Sequence, residues 1–156
     1  MKSRLAFDPG KKGGWALLDE KGKLVEWGRM PVTTERPASY NHWAISLLFE
    51  EWEPHQCVIE KVNAHAAPNA SAAFSLGGCF EMLRCIATLR GCPVVYAVPN
   101  KWTKEMVSGP KKNDKAAHLA DAARLFPEFL EDSRVKANDG VADAILMAEW
   151  ARRNNL

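Results

Sequence analysis

Three acidic residues stand in segments that are otherwise apolar, and they constrain the fold more than any other feature of the sequence. Asp8 ends the first apolar run, Glu60 ends another, and Asp143 interrupts the apolar stretch of the last predicted helix. An unpaired charge at the edge of a core is costly, so such carboxylates usually have a partner or bind a metal ion. Because the three are far apart in the chain, only a fold that joins two strand ends and a helix would cluster them.

Three short apolar runs joined by short turns begin the sequence, and they predict an antiparallel meander. The first run ends at Asp-Pro-Gly, which is a turn signal. Later strands alternate with segments of helical spacing, so we predict an α/β fold with a mixed sheet flanked by helices. The predicted strands are residues 4–7, 14–18, 23–29, 56–60 and 93–98, and the predicted helices are residues 37–53, 70–90, 100–107, 113–126 (with Asn113 as the N-cap) and 139–153.

The length and composition are those of one ordinary domain, and we predict that residues 1–156 form it. Hydrophobic residues make up 47% and charged residues 26%, as in globular proteins. No uninterrupted apolar run reaches the roughly 18 residues that span a bilayer, so no membrane partner is expected. Asp8 interrupts the apolar N-terminal run that a signal peptide would need, which predicts a cytoplasmic protein. The four cysteines lie among apolar residues and are predicted to be buried free thiols.

A cluster of carboxylates predicts a divalent metal site. Carboxylates repel one another, and Mg²⁺ or a similar hard cation relieves that repulsion and prefers oxygen ligands. Two such ions about 4 Å apart clamp a phosphodiester in many nucleases. Asp139 lies four residues before Asp143, on the same side of a helix. It is either a fourth ligand or a helix N-terminal acid favoured by the dipole.

Each acid also has an ordinary interpretation when it is taken alone. Asp8 before Pro-Gly is a common turn acid, Glu60 is compatible with a surface acid at a strand end, and Asp143 with a satisfied core acid. The prediction of a metal-dependent nuclease therefore rests on the set and its order along the chain.

Four motifs in the same order resemble those of RuvC-type Holliday-junction resolvases, which belong to the RNase H-like superfamily. Residues 5–10 (LAFDPG), followed by GWALL, resemble the family's opening strand, Asp-Pro-Gly turn and second strand. Residues 57–60 (CVIE) resemble its second motif, and residues 138–148 (NDGVADAILMA) resemble its C-terminal helix motif. Residues 99–115 resemble the segment that leads into the penultimate helix. The resemblance covers residues 4–150, and the short chain is most similar to phage, poxvirus or organellar members.

The resemblance implies a fold, an activity and a set of ligands. The fold would be an RNase H-like five-stranded mixed sheet, and the activity a crossover junction endodeoxyribonuclease that nicks four-way DNA junctions with two Mg²⁺ or Mn²⁺ ions. Asp8, Glu60 and Asp143 correspond to the family's catalytic acids. The family's other acid stands three residues before the last Asp, where this chain has Gly140, so Asp139 is the candidate fourth ligand. A homodimer is also implied, and localisation would be the host cytoplasm for a phage protein or an organelle for an organellar one.

Local charge, not the net charge of +2, carries the prediction of a DNA-binding surface. The most basic window is residues 101–115, and lysine clusters of this kind contact phosphates, although an ordinary solvated face has the same composition. Lys115 matches a basic family position and is predicted to stabilise charge on the reacting phosphate. The lysines after the Asp8 turn are either phosphate contacts or plain hairpin charges, and His65 is either a DNA contact or a surface residue. The predicted DNA-binding residues are Lys11, Lys12, Lys104, Lys111, Lys112, Lys115 and His65.

Two features of the long helix predicted at residues 70–90 have two interpretations each. Phe74 is either a wedge between DNA bases or a core or dimer contact. Gly77 and Gly78 each cost about 1 kcal/mol relative to Ala in a helix. They indicate either a close helix approach at a dimer interface or a local break in the helix.

Three other functions remain open at this point. The first is a nuclease of the same superfamily with a broader preference for branched, flap or fork DNA. The second is a small nucleotide-binding module similar to actin-like proteins, which share the Asp-x-Gly turn but need a second phosphate loop that the sequence lacks. The third is an inactive DNA-binding relative, against which the intact acids argue.

Overall fold

A computed structural model describes residues 2–63, 65, 67–109, 114–131 and 138–156. Five strands form one mixed sheet in the order β3-β2-β1-β4-β5. The strands are β1 (Arg4–Asp8), β2 (Gly14–Leu18), β3 (Leu24–Arg29), β4 (Gln56–Glu60) and β5 (Val94–Ala97). The helices are α1 (His42–Trp52), α2 (Ala70–Leu89), α3 (Pro99–Met106), α4 (Lys115–Leu125), α5 (Glu128–Glu131) and α6 (Asp139–Arg153).

The register of the sheet sets the position of the two strand-end acids. β1 pairs with β2 antiparallel and with β4 parallel, and β2 continues antiparallel to β3. In the parallel pair, Phe7 lies opposite Ile59, so Asp8 and Glu60 both follow at the same edge of the sheet. The predicted mixed sheet flanked by helices is confirmed.

The two faces of the sheet carry separate cores because side chains alternate along each strand. Leu5 and Phe7 point into the core under α1 and α2, whereas Ala6 points into the core under α6. Helix α6 is buried along most of its length and packs against β1 and β2. Small residues such as Ala6 and Ala16 on this face allow the helix to approach closely, which brings Asp143 to the sheet.

Two predicted helix starts differ from the observed ones because capping residues set them. Helix α1 begins at His42, not at residue 37, and the side chain of Asn41 accepts a hydrogen bond from the Ala44 N–H. Helix α4 begins at Lys115 with Asp114 as its N-cap, which corrects the predicted Asn113 cap; Asn113 itself lies outside the described residues. The short helix α5 was not predicted.

Helix α2 runs without interruption through Gly77 and Gly78, so the interpretation as a local break is wrong. Phe74 is 85% exposed, which also rules out its interpretation as a core residue. Among the described helices, α2 alone is long and apolar enough to cross a membrane by length and composition. One such helix is weak evidence for a membrane-spanning segment. Of the four free cysteines, three are buried as predicted, while Cys85 is exposed on this helix.

Candidate active site

The fold brings the predicted acids together at one edge of the sheet. Asp8 and Glu60 end neighbouring parallel strands, and α6 crosses the sheet so that Asp143 lies beside them. Burial raises the pKa of Asp8 well above its usual value, and the charges of Asp143, Glu60 and Asp139 raise it further, in that order. All four acids therefore belong to one electrostatic cluster.

Close backbone contact places the start of α6 against the turn that follows Asp8. Gly13 and Gly140 form a β-bridge, and a Cβ built on Gly140 would lie 2.6 Å from the Gly13 Cα. A Cβ on Gly14 would lie 2.6 Å from the backbone nitrogen of Val141. Because of this contact, no acidic side chain fits at position 140. Asp139 is the acid that the helix start presents instead.

We expect Gly140→Ala to lower the free energy of unfolding by about 1–3 kcal/mol, because the added methyl group would force two backbone segments apart. The measurement is thermal unfolding without metal. Gly77→Ala is the matched control, since a Cβ there meets nothing within 4 Å among the described residues. That substitution should stabilise the helix by up to about 1 kcal/mol. Equal stability of Gly140→Ala and wild type would contradict the close contact.

Burial and mutual repulsion shift the pKa values of three of the four clustered acids upward. The pKa of Glu60 rises from its usual 4.5 to about 7, first because of burial and then because of Asp143. Burial likewise raises the pKa of Asp143, although a hydrogen bond from His118 opposes that rise. Three carboxyl groups thus resist ionisation in the metal-free protein, and a divalent cation would relieve that cost.

Two aromatic side chains that the sequence did not assign to the site contact these acids. The Trp102 indole Nε1–H donates to Glu60 Oε1 at 3.1 Å, and His118 Nδ1 lies 2.5 Å from Asp143 Oδ1. The rings of Trp102 and His118 meet edge to face with centroids 5.5 Å apart. Trp102 is also part of the buried core. In the sequence, the feature that could have assigned His118 to the site is its position about one helical turn after Lys115.

Lys115 reaches the cluster from the start of α4. Its Nζ lies 2.5 Å from Asp139 Oδ2, and the hydrogen bond lowers the pKa of Asp139. The same bond raises the pKa of Lys115. The charges of Asp143 and Asp8, which lie further away, raise it as well. The Lys115 side chain is 77% exposed, so its ammonium group is accessible from solvent.

The chemistry of these residues fits a hard divalent cation. The set offers oxygen donors from Asp8, Glu60, Asp143 and Asp139, the ligand type that Mg²⁺ and Mn²⁺ prefer. No three His, Cys, Asp or Glu side chains among the described residues are already arranged to hold a metal ion.

Four of the remaining predicted DNA-binding residues are described, and they lie on the surface with no described contact with the acids. Lys11 and Lys12 are exposed in the turn between β1 and β2, just after Asp8, and Lys11 Nζ lies 6.0 Å from the Tyr40 ring centroid. Lys104 is exposed in the last turn of α3, and His65 is exposed after β4. Lys111 and Lys112 lie outside the described residues.

The sheet order, the flanking helices and the acids at the sheet edge define an RNase H-like fold. No family model matches the sequence, and no curated protein matches it. Solved structures do match over nearly the whole chain, and the predicted fold is confirmed by them.

The similar structures are Holliday-junction resolvases. Thermus thermophilus RuvC in complex with Holliday junction substrate is 15% identical, with a TM-score of 0.73 over 99% of this chain and 95% of that chain. The fowlpox virus Holliday junction resolvase is 15% identical, with a TM-score of 0.61 and 99% of both chains covered. The yeast mitochondrial resolvase Ydc2 is 17% identical, with a TM-score of 0.58 over 96% of this chain and 77% of that one. A bacterium, a poxvirus and a mitochondrion are represented, so the fold does not single out one of the groups that the short length suggested.

Proposed function

We propose that this protein is a metal-dependent endonuclease that nicks four-way DNA junctions. The observation that carries the proposal is the convergence of Asp8, Glu60 and Asp143 at one edge of an RNase H-like sheet. The substrate comes from the similar structures, since both Thermus thermophilus RuvC and the fowlpox virus resolvase are described in complex with a Holliday junction.

The four acids would be the ligands of the metal ions. Asp8, Glu60 and Asp143 are the principal ligands, and Asp139 is the fourth. When bound, two Mg²⁺ or Mn²⁺ ions held by these acids would supply activation of water and stabilisation of the leaving oxygen. Lys115 neutralises charge on the phosphate from the solvent side, where its ammonium group already faces the acids.

Exposed basic residues around the acids would hold the DNA backbone. Phosphate contacts position a nucleic acid without reading its sequence, and lysines are well suited to them. The turn between β1 and β2 directly follows Asp8, so a strand whose phosphate reaches the cluster would pass Lys11 and Lys12. The residues proposed for these contacts are Lys11, Lys12, Lys104, Lys111, Lys112, Lys115 and His65.

Cleavage of matched DNA substrates tests the proposal. A synthetic four-way junction, a flap, a replication fork and a linear duplex of the same sequence would be incubated with wild-type protein and Mg²⁺ or EDTA. We expect Mg²⁺-dependent paired nicks in the junction and little cleavage of the duplex. Equal cleavage of all four substrates would overturn junction selectivity, and preferential cleavage of the flap or fork would favour the broader branched-DNA nuclease.

Lys115→Ala should reduce the junction cleavage rate by about 10- to 100-fold, because the variant loses the ammonium group that pairs with Asp139. Single-turnover cleavage measures this effect. Lys21→Ala, in the exposed turn between β2 and β3, is the matched control and should cleave like wild type. Cleavage by Lys115→Ala at the wild-type rate would show that this ammonium group does not act on the phosphate.

We also propose that two copies pair through the outer face of α2. Phe74 and Leu89 are 85% and 81% exposed on this helix, and Trp43 of α1 is exposed beside it. Large exposed apolar patches commonly mark protein interfaces. Gly78 lies on the same exposed face, where the lack of a side chain would let a second helix come close.

Sedimentation velocity distinguishes a dimer from the 17.4 kDa monomer. Wild type is expected to sediment as a dimer, and Phe74→Ser should shift it toward monomer. Leu130→Ser is the control, because Leu130 is exposed on α5 rather than on α2. A monomeric wild-type protein at micromolar concentration would contradict the pairing.

A further inference from the structure

We propose that His118 is a positioning residue that orients Asp143 for metal binding. The inference rests on the proposed function and adds to it a residue outside the acid set. His118 is 7% exposed, and its Nδ1 lies 2.5 Å from Asp143 Oδ1. When Asp143 is ionised, as a metal ligand must be, its carboxylate can only accept, so the ring nitrogen then donates this hydrogen bond.

The bond leaves Asp143 able to act as a ligand. A carboxylate has about four lone-pair sites, so accepting one hydrogen bond at Oδ1 does not use up its capacity. The bond does restrict rotation of the carboxylate group about its Cβ–Cγ axis. Charge-assisted hydrogen bonds are stronger than neutral ones, which makes this restriction effective in a half-buried site.

The imidazole is itself held in place by the surrounding structure. Helices α4 and α6 pack against each other, and the Trp102 ring meets the His118 ring at an interplanar angle of 72°. The same tryptophan donates to Glu60. One pair of packed rings therefore orients two acids, one on α6 and one at the end of β4.

His118 and Lys115 lie on the same helix but serve different acids. Lys115 binds Asp139 from solvent and is highly exposed, whereas His118 binds Asp143 from within the core. A flexible exposed lysine fits a role toward phosphate, and a packed buried ring fits a role in fixing a ligand. Removing the hydrogen-bond partner of a metal ligand typically weakens metal affinity by about 10- to 100-fold.

Three substitutions separate hydrogen bonding from packing. In His118→Asn, the side-chain amide can donate from near the position of Nδ1, whereas in His118→Gln it lies near Nε2, and His118→Ala has no donor. Mn²⁺ affinity, measured by calorimetry on the protein without DNA, is the readout. We expect about 10- to 100-fold weaker binding for His118→Ala and His118→Gln, and near wild-type binding for His118→Asn. His55→Ala, at an exposed histidine before β4, is the control and should bind Mn²⁺ like wild type.

Pulsed EPR of bound Mn²⁺ identifies the alternative role. A strong nitrogen coupling in wild type that disappears in His118→Ala would show that His118 is a direct ligand, and the positioning role would be overturned. Equal Mn²⁺ affinity of wild type and all three variants would also overturn it. Failure of the proposed function looks different, because wild type itself would then neither bind Mn²⁺ nor cleave the junction, and the inference would fall with it. Unchanged thermal unfolding of His118→Gln would show that a loss of affinity is not a loss of fold.

Discussion

Asp8→Asn is expected to reduce junction cleavage by at least about 100-fold, because removing even an indirect partner of a metal ligand costs up to about that much. Asp8 belongs to the acid cluster, since each of the other three acids raises its pKa. An amide of the same shape keeps the packing but loses the negative charge that attracts the ions. Single-turnover cleavage with Mg²⁺ measures the loss.

The same substitution is expected to stabilise the metal-free protein. Burial and three neighbouring carboxylates raise the pKa of Asp8, so its charge is unfavourable in the folded state at neutral pH. Removing that charge should raise the Tm by about 2–4 °C for each kcal/mol gained. Mg²⁺ should then raise the Tm of wild type more than that of the variant, because ligand binding stabilises the folded state.

Opposite changes in activity and stability distinguish a functional acid from a structural one. If Asp8→Asn lost both activity and stability, damage to the fold would explain the result. Full cleavage by the variant would overturn the proposed mechanism. Glu51→Gln, on the exposed side of α1, removes one charge far from the cluster and should change neither property.

The positions of Asp8 and Glu60 at strand ends could be predicted from the sequence, because the apolar run that forms each strand is visible in the local sequence. Asp8 and Glu60 each follow an apolar run, and parallel pairing of those runs was enough to put them at one edge. The four-residue spacing of Asp139 and Asp143 was enough to predict that both acids lie on the same side of a helix. In contrast, the boundary of α1 depended on the cap at Asn41, which hydrophobic spacing does not reveal.

Other parts of the site depend on contacts between distant segments and could not be predicted. The sequence shows that position 140 is glycine, but only the fold shows that the Gly13 backbone fills the space of its side chain. His118 is an ordinary helix residue until α4 packs against α6. Phe74 shows the converse, because its apolar side chain suggests a core position and the fold leaves it on the surface.

The metal-free protein is expected to lose stability as pH rises from about 4.5 to about 7. The folded pKa of Glu60 is about 7 against a usual value of 4.5, so the folded state holds its proton longer than the unfolded state does. The stability contributed by that proton is fully present below pH 4.5 and is lost as pH rises through 7. The loss from Glu60 should be roughly 2–3 kcal/mol, and the raised pKa values of Asp8 and Asp143 act in the same direction.

Acids with lowered pKa values have the opposite effect but act at lower pH. Asp121, Asp139 and Glu149 are held ionised by hydrogen bonds and nearby cations, so their contribution is lost only as pH falls below their usual values of 3.8 to 4.5. Above pH 4.5 the raised pKa values of Asp8, Glu60 and Asp143 therefore dominate the slope of stability against pH. Urea unfolding at a series of pH values, with EDTA present, measures it.

Glu60→Gln isolates the contribution of one carboxyl group. The glutamine carbonyl can still accept the Trp102 indole N–H, so packing and hydrogen bonding are retained while the ionisation is removed. We expect a flatter stability profile between pH 4.5 and 7 than in wild type. A wild-type profile that rises over this range would contradict the clustering of the acids. With saturating Mg²⁺ the wild-type slope should reverse, because the ions bind deprotonated carboxylates and their stabilising effect grows as those protons leave.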